Sequence, residues 1–332
     1  MTTLLDRSRF SRRFGLSAPI ALAPMALATG GALAAACARA GALALVGGGY
    51  GDLAWTQREY AIAQQAADTG RVGCGFITWK LDEDASALDW VLERKPRAVM
   101  LSFGDPRPYG ARIRAAGATL ACQVQRLEQV APALEAGAEV IVAQGGEAGG
   151  HGADTLNGRA VVTLVPEIAD LLAARSADTL LLAAGGIADG RGLAAALVLG
   201  ADGVLLGSRL WATQESLPSA AAKQHAVQCD GDSTARSPVF DILRRKNWPA
   251  PYDFRAVRNA LHRQWEGRIP ELRSGPDAAR ADYDQGVSAG DFSRAHVTVG
   301  EAIGLVHDVP PAAEVIARMA GEARAVLQRA VG

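Results

Sequence analysis

A glycine-marked rhythm constrains this chain more than any other feature. Ala40-Gly41-Ala42, Ala116-Gly117-Ala118, Ala136-Gly137-Ala138 and Gly200-Ala201-Asp202 each stand between an Ala/Leu/Arg-rich run and a short Val/Leu run. Glycine at such a junction stops a helix, because it takes the left-handed conformation after the last turn without a Cβ penalty. The apolar runs bounded this way predict eight strands, over 20–23, 43–46, 72–76, 98–102, 119–124, 140–143, 179–183 and 203–206. Helical runs over 31–40, 56–68, 86–95, 107–116, 127–136, 164–175 and 190–199 lie between them. Continuous apolar strands belong to parallel sheets covered on both faces. An open doubly wound sheet uses such strands too but rarely needs eight, so the fold class read from the sequence is α/β, a (β/α)8 TIM barrel.

The rhythm stops after Trp211. Residues 223–291 are rich in Arg, Asp, Trp and Pro with little strand signal, which reads as a mostly helical excursion, 212–309, near the mouth of a barrel built by 1–211. Val315, Ile316, Met319, Ala323, Val326 and Leu327 then recur at helical spacing, so 310–332 is expected to form an amphipathic helix that completes the barrel. Ser11-Arg12-Arg13-Phe14 before an Ala/Leu-rich stretch resembles a twin-arginine export signal, but Pro19 and Pro24 interrupt the apolar run, and the stretch reads as the first strand and helix.

Charge and cysteine usage narrow the partners. With 34 basic and 35 acidic residues the chain has no sequence-independent pull toward nucleic acid or an anionic membrane, and a small-molecule substrate is expected. Cys37, Cys74, Cys122 and Cys229 are widely spaced, form no C-x-x-C, and read as core thiols of a cytoplasmic protein. Carboxylate clusters and H-E-x-x-H are missing, so no metal is expected.

Barrel chemistry gathers at the carboxyl ends of the strands. Gly185-Gly186 follows the seventh strand and Gly207-Ser208 the eighth, the two loops that most often hold a phosphate, with Ser208 adding a hydroxyl. Behind the sixth strand runs Gln144-Gly145-Gly146-Glu147-Ala148-Gly149-Gly150-His151-Gly152. Its glycines let backbone lie close to a flat ligand. His151 has the side chain suited to proton abstraction near neutral pH. Glu147 reads as a carboxylate ordering this loop. His225, His262 and His307 read as surface or packing residues, whereas His296, near Gly300-Glu301, can return to the mouth. Gly49-Tyr50-Gly51-Asp52-Leu53-Ala54 fits G-x-G-x-x-A but follows the second strand, so it reads as a loop rather than a dinucleotide site.

Ala23-Pro24-Met25, the Gln144–Gly152 segment, Ala184-Gly185-Gly186-Ile187 and Leu206-Gly207-Ser208-Arg209 together resemble the nitronate monooxygenases, and the stretch from Arg236 through Trp248-Pro249 resembles the excursion of their bacterial members. The glycine–histidine segment is the specific part; the Ala23-Pro24-Met25 and Gly185-Gly186-Ile187 motifs are shared with other flavin barrels. The resemblance implies non-covalent FMN, its phosphate on Gly185, Gly186, Gly207 and Ser208 and its ring against Ala23, Pro24 and Met25. Gly75, Gln123, Gln144, Gly149, Gly150 and Ala184 would complete the cofactor site. It also implies His151 as catalytic base, with alkyl nitronates such as propionate 3-nitronate oxidised by oxygen, and it leaves a homodimer open. Many members carry an asparagine after the third strand, where Gly73-Cys74-Gly75-Phe76 offers no side-chain amide, so the substrate pocket is expected to differ. Trp79 and Phe103 are candidate apolar walls. Two other readings share the barrel: an NAD(P)H-dependent quinone or enoyl-thioester reductase, and a flavin-binding protein without turnover.

Overall fold

The computed structural model describes residues 3–67 and 70–329. Eleven strands form among them: β1 (Ile20–Leu22), β2 (Leu43–Gly49), β3 (Val72–Ile77), β4 (Ala98–Ser102), β5 (Thr119–Val124), β6 (Val140–Gln144), β7 (Gly150–Ala153), β8 (Leu180–Ala184), β9 (Gly203–Leu206), β10 (Thr234–Ser237) and β11 (Tyr252–Val257). Eight of them close a barrel in the order β1-β2-β3-β4-β5-β6-β8-β9, with β9 pairing back onto β1. Every barrel pair is parallel. The expected TIM barrel is therefore present, strand for strand.

Strand periodicity of two sorts the core into layers. Leu45, Met100, Ala121, Val142, Leu182 and Leu205 form one packed cluster within the barrel. Their neighbours Val46, Leu101, Cys122, Ala143, Ala183 and Leu206 belong to the larger cluster shared with the surrounding helices. Phe10 and Phe14, from the helix Arg9–Phe14, join the interior cluster and are almost fully buried. Phe10 lies where a Cβ on Gly203, the first residue of β9, would meet it, so the pair plugs the amino-terminal end of the barrel. The arginine-containing segment that resembles an export signal is thus packed core on one face.

The glycine stops are literal. Gly41, Gly117, Gly137 and Gly200 have φ of +86°, +80°, +84° and +100°, where a side chain would be strained. Two helices begin earlier than the sequence indicates, and each has a carboxylate as the reason. Asp52 accepts from Trp55 N at 2.9 Å and caps Leu53–Ala66. Glu147 accepts from Val161 N at 2.9 Å and opens Val161–Arg175. Asp68, the expected end of the first of these helices, lies outside the described residues. The last helix, Ala312–Arg329, buries Val315, Ile316, Met319, Ala323 and Leu327 and packs on Gly190–Val198. Its contact is close because a Cβ on Gly190 would overlap Glu322 and Ala323. Residues 330–332 of the expected helix, like residues 1 and 2, lie outside the description.

The stretch after Trp211 contains the helices Ala220–Ala226, Val239–Leu243, Ala260–Trp265, Ile269–Ser274 and Asp277–Ala289. It also contains two strands that composition does not announce. β10 and β11 pair antiparallel, and β11 pairs antiparallel with β7, so the glycine–histidine segment is a strand of this second sheet. The signal is weak because β10 buries a charge. Arg236 is 7% exposed, yet it donates to the carbonyls of Gly150 (3.1 Å), Asp253 (2.6 Å) and Ala148 (2.6 Å).

Candidate active site

A cavity of about 460 Å³ opens at the carboxyl ends of the barrel strands. Its wall contains His151 and every residue expected to hold the cofactor: Ala23, Pro24 and Met25 after β1, Gly75 on β3, Gln123 on β5, Gln144 on β6, Gly149, Gly150 and His151 around the start of β7, Ala184, Gly185 and Gly186 at the end of β8, and Gly207 and Ser208 after β9. Trp79 does not line the cavity but touches Trp248 from behind (5.5 Å between ring centroids), whereas Phe103 does line it. Among the described residues no three His, Cys, Asp or Glu side chains gather as a metal site would.

The end near β8 and β9 is built from backbone. Gly185 and Gly186 have φ of +97° and +71°, and a Cβ on Gly185 would press on Ala148 at 3.1 Å. Ser208 Oγ accepts from Gly300 N at 2.8 Å, which leaves its own proton free to donate. Gly149 and Gly300 approach so closely that a Cβ on Gly149 would stand 2.5 Å from Gly300 N. Glu301 N then donates to Glu147 O at 3.0 Å. The loop after β6 and the segment around Gly300 therefore lock together beside Ser208. Glu147 does order the glycine loop, by receiving Val161 N.

Gln144 is committed to protein partners. Its Oε1 receives the side-chain amides of Gln123 (3.1 Å) and Gln125 (2.9 Å), and its Nε2 donates to the His151 carbonyl at 2.9 Å. This amide ladder ties the barrel to the histidine strand. Gly75 has a packing reason as well, since Pro24 fills the space where a Cβ would sit. The amide-free third strand thus goes with a proline packed on its end.

His151 is buried, with its Nε2 3.0 Å from both carboxylate oxygens of Asp241. The Trp248 indole stacks on its ring at 3.4 Å between centroids and 12° between planes, and Phe254 lies tilted at 4.8 Å. Burial pushes the imidazole pKa down to about 4 against the opposing pull of Asp241. The ring is neutral at pH 7 and can accept a proton. Trp248 belongs to an aromatic group with Phe103 (5.1 Å) and Tyr50 (6.2 Å), and its indole N–H donates to Tyr50 Oη at 3.1 Å. Arg244 also lines the cavity, with its guanidinium over Phe254 and its Nη1 3.9 Å from Asp241.

His296 reaches the cavity as expected, with Nδ1 2.6 Å from Tyr283 Oη and burial holding its pKa down to about 3. His225 stacks on Phe292, and His262 is buried against Ser237 and Glu266. His307 lines a separate outer cavity beside Arg318. Sequence reasoning missed Asp241, Arg244, Trp248 and Gln125. Asp241 and Trp248 do fall within the stretch that carries the bacterial resemblance, 90 and 97 positions beyond His151, but spacing alone gave them no partner.

A closed barrel with its deep cavity at the carboxyl strand ends, glycines at one end and a buried imidazole in the same wall, is the arrangement of a barrel enzyme acting on a small molecule. The family model for nitronate monooxygenase matches residues 55–322. The chain is 33% identical to a nitronate monooxygenase from Neurospora crassa, over 91% of this chain and 88% of that one. In structure it is similar to FabK from Thermotoga maritima, with a TM-score of 0.82 at 26% identity and coverage of 98% of this chain and 99% of that one. It shares the fold of a nitroalkane oxidase from Streptomyces ansochromogenes, with a TM-score of 0.80 at 24% identity and coverage of 98% and 100%. The chain belongs to the nitronate monooxygenase family and is an oxidoreductase. None of its described helices is long and apolar enough to cross a membrane.

Proposed function

We propose that this enzyme oxidises alkyl nitronates, propionate 3-nitronate or a similar compound, with oxygen, and that it does so on FMN held by the β8 and β9 loops. His151 is the base that takes the proton when the substrate arrives as the neutral nitroalkane. The observation that carries the reading is the shared wall: the glycine end at Gly185, Gly186 and Ser208 and the neutral imidazole of His151 line one cavity. Its volume of about 460 Å³ falls in the range of cofactor sites. The left-handed glycines and the free Ser208 proton suit a phosphate, and Ala23, Pro24 and Met25 suit a flat ring.

FMN, when bound, would supply the redox chemistry that links nitronate oxidation to oxygen. The chain does the rest. Trp248, Phe103 and Phe254 keep water from the imidazole, which holds it neutral and ready. Arg244 sets a cation in the wall that favours an anionic substrate.

Anaerobic mixing of the purified holoprotein with nitronate, NADH and NADPH tests the proposal. Bleaching of a flavin spectrum by nitronate alone supports it; bleaching by a nicotinamide alone moves the assignment to a reductase. His151→Ala is expected to keep the flavin and lose about 100-fold or more in kcat/KM on neutral nitroalkane, with preformed nitronate largely spared. Unchanged nitroalkane turnover removes His151 as the base.

A further inference from the structure

We propose that Asp241 is a positioning residue for His151: it holds Nε2 as the donor and so makes Nδ1 the one nitrogen that can take a proton from substrate. The inference rests on the reading of His151 as the base and goes beyond it by naming the acting atom and the residue that selects it.

The geometry leaves little freedom. Both Asp241 oxygens stand 3.0 Å from Nε2, and both side chains are buried, at 6% and 7% exposed. A carboxylate only accepts, so the shared proton sits on Nε2. In a neutral imidazole the other nitrogen then carries the lone pair. Nδ1 has no hydrogen-bond partner among the described residues, and His151 lines the cavity. One ring face is covered by Trp248, so the ring cannot tilt away from Asp241 without unstacking. The backbone of His151 is pinned too, because Gln144 holds its carbonyl and β11 pairs with β7 through Phe254.

Asp241 is placed by local structure. It lies in the helix Val239–Leu243, which follows Pro238 and packs on β11. The charged groups around the pair are Arg244, with Nη1 3.9 Å from Asp241, and Arg236 beneath the glycine loop. Neither displaces the carboxylate from the imidazole.

Nitrogen-15 NMR of the histidine side chains in the wild-type holoprotein is the direct test, with His151 assigned by its loss in His151→Gln. The expected spectrum near pH 7 has a protonated Nε2 and an unprotonated Nδ1, and in Asp241→Asn that preference is lost. The opposite tautomer, or two protonated nitrogens at pH 7, overturns the proposal. Kinetics supply a second measure. Asp241→Asn is expected to lose about 10- to 100-fold in kcat/KM on neutral nitroalkane while preformed nitronate changes less than about threefold, with Asp241→Glu recovering part of the loss. Equal loss on both substrates, or none on either, also overturns it. A wild-type enzyme that oxidises neither substrate refutes the proposed function instead, and the tautomer measurement still decides the role of Asp241.

Discussion

Gly149 and Gly150 stand side by side for opposite physical reasons, and alanine at each separates them. A Cβ on Gly149 would stand 2.5 Å from both Val299 C and Gly300 N, and 2.9 Å from Val299 Cα. Ordinary contact begins near 3.4 Å, and the crowding atoms are backbone, so the two segments must part by roughly 1 Å. That movement strains the Gly300 N bond to Ser208 at one end and carries His151, two residues on, at the other. Overpacking of this kind costs about 1–3 kcal/mol, or about 2–4 °C in Tm for a chain of this size. The larger effect is on activity, since a misplacement of about 1 Å can remove on the order of 100-fold in rate. Gly150 has φ +71° and open space, with Thr298 Cγ2 3.7 Å from the would-be Cβ. Gly150→Ala therefore costs about 1–2 kcal/mol in backbone strain without pushing on a neighbour. Thermal melts of both variants, flavin content after gel filtration, and kcat/KM on nitronate make the comparison. Similar melting losses with activity lost mainly in Gly149→Ala are expected. Full activity in Gly149→Ala, or an equal loss in Gly150→Ala, refutes the steric argument.

Acid stability offers an independent check. His151 and His296 are held at about 4 and about 3, below the ordinary histidine value of 6.5, so between those limits the unfolded chain binds protons that the native chain refuses. Stability is then level above pH 6.5 and falls as pH drops, by about 1 kcal/mol per unit for each histidine, and denaturant titrations from pH 7.5 to 5 will detect it. A flat profile contradicts the burial argument, and His296→Asn is expected to reduce the slope. For Trp248→Ala, loss of the stacked indole lets water reach His151, and the nitroalkane pH profile is expected to shift toward the ordinary imidazole value. An unchanged profile means the indole does not govern solvation of the ring.

The barrel was legible because its strands are buried on both faces and its helices end at glycines whose left-handed backbone is itself a sequence signal. Gly41, Gly117, Gly137 and Gly200 needed no tertiary information. The glycine–histidine segment was legible as chemistry but not as structure. Gly-His-Gly-Ala has no strand propensity, and it becomes β7 only because β11, about 100 residues on, pairs with it. Asp241 was invisible for a related reason: a carboxylate in a charged, polar stretch looks like surface until the fold buries it against an imidazole. Arg236 hid β10 in the same way, since a buried guanidinium that donates to backbone carbonyls reads in sequence as a solvated charge. Helix starts at Leu53 and Val161 slipped by three residues where Asp52 and Glu147 cap from outside the apolar pattern.

The imidazole rides on the antiparallel sheet, whereas Gly185, Gly186 and Gly207 stand on the parallel one. The glycine end of the cavity and the imidazole are thus rooted in separate frameworks, joined near the site by the Gln144 amide and by Gly300 N on Ser208. Exchange of the 212–309 stretch between relatives would re-aim His151 through β11 and replace Asp241 and the Gly300 bond to Ser208 together, while Gly185, Gly186 and Gly207 kept their place on the barrel. The environment of the imidazole is in that way set by a stretch of chain other than the one that carries the glycines after β8 and β9.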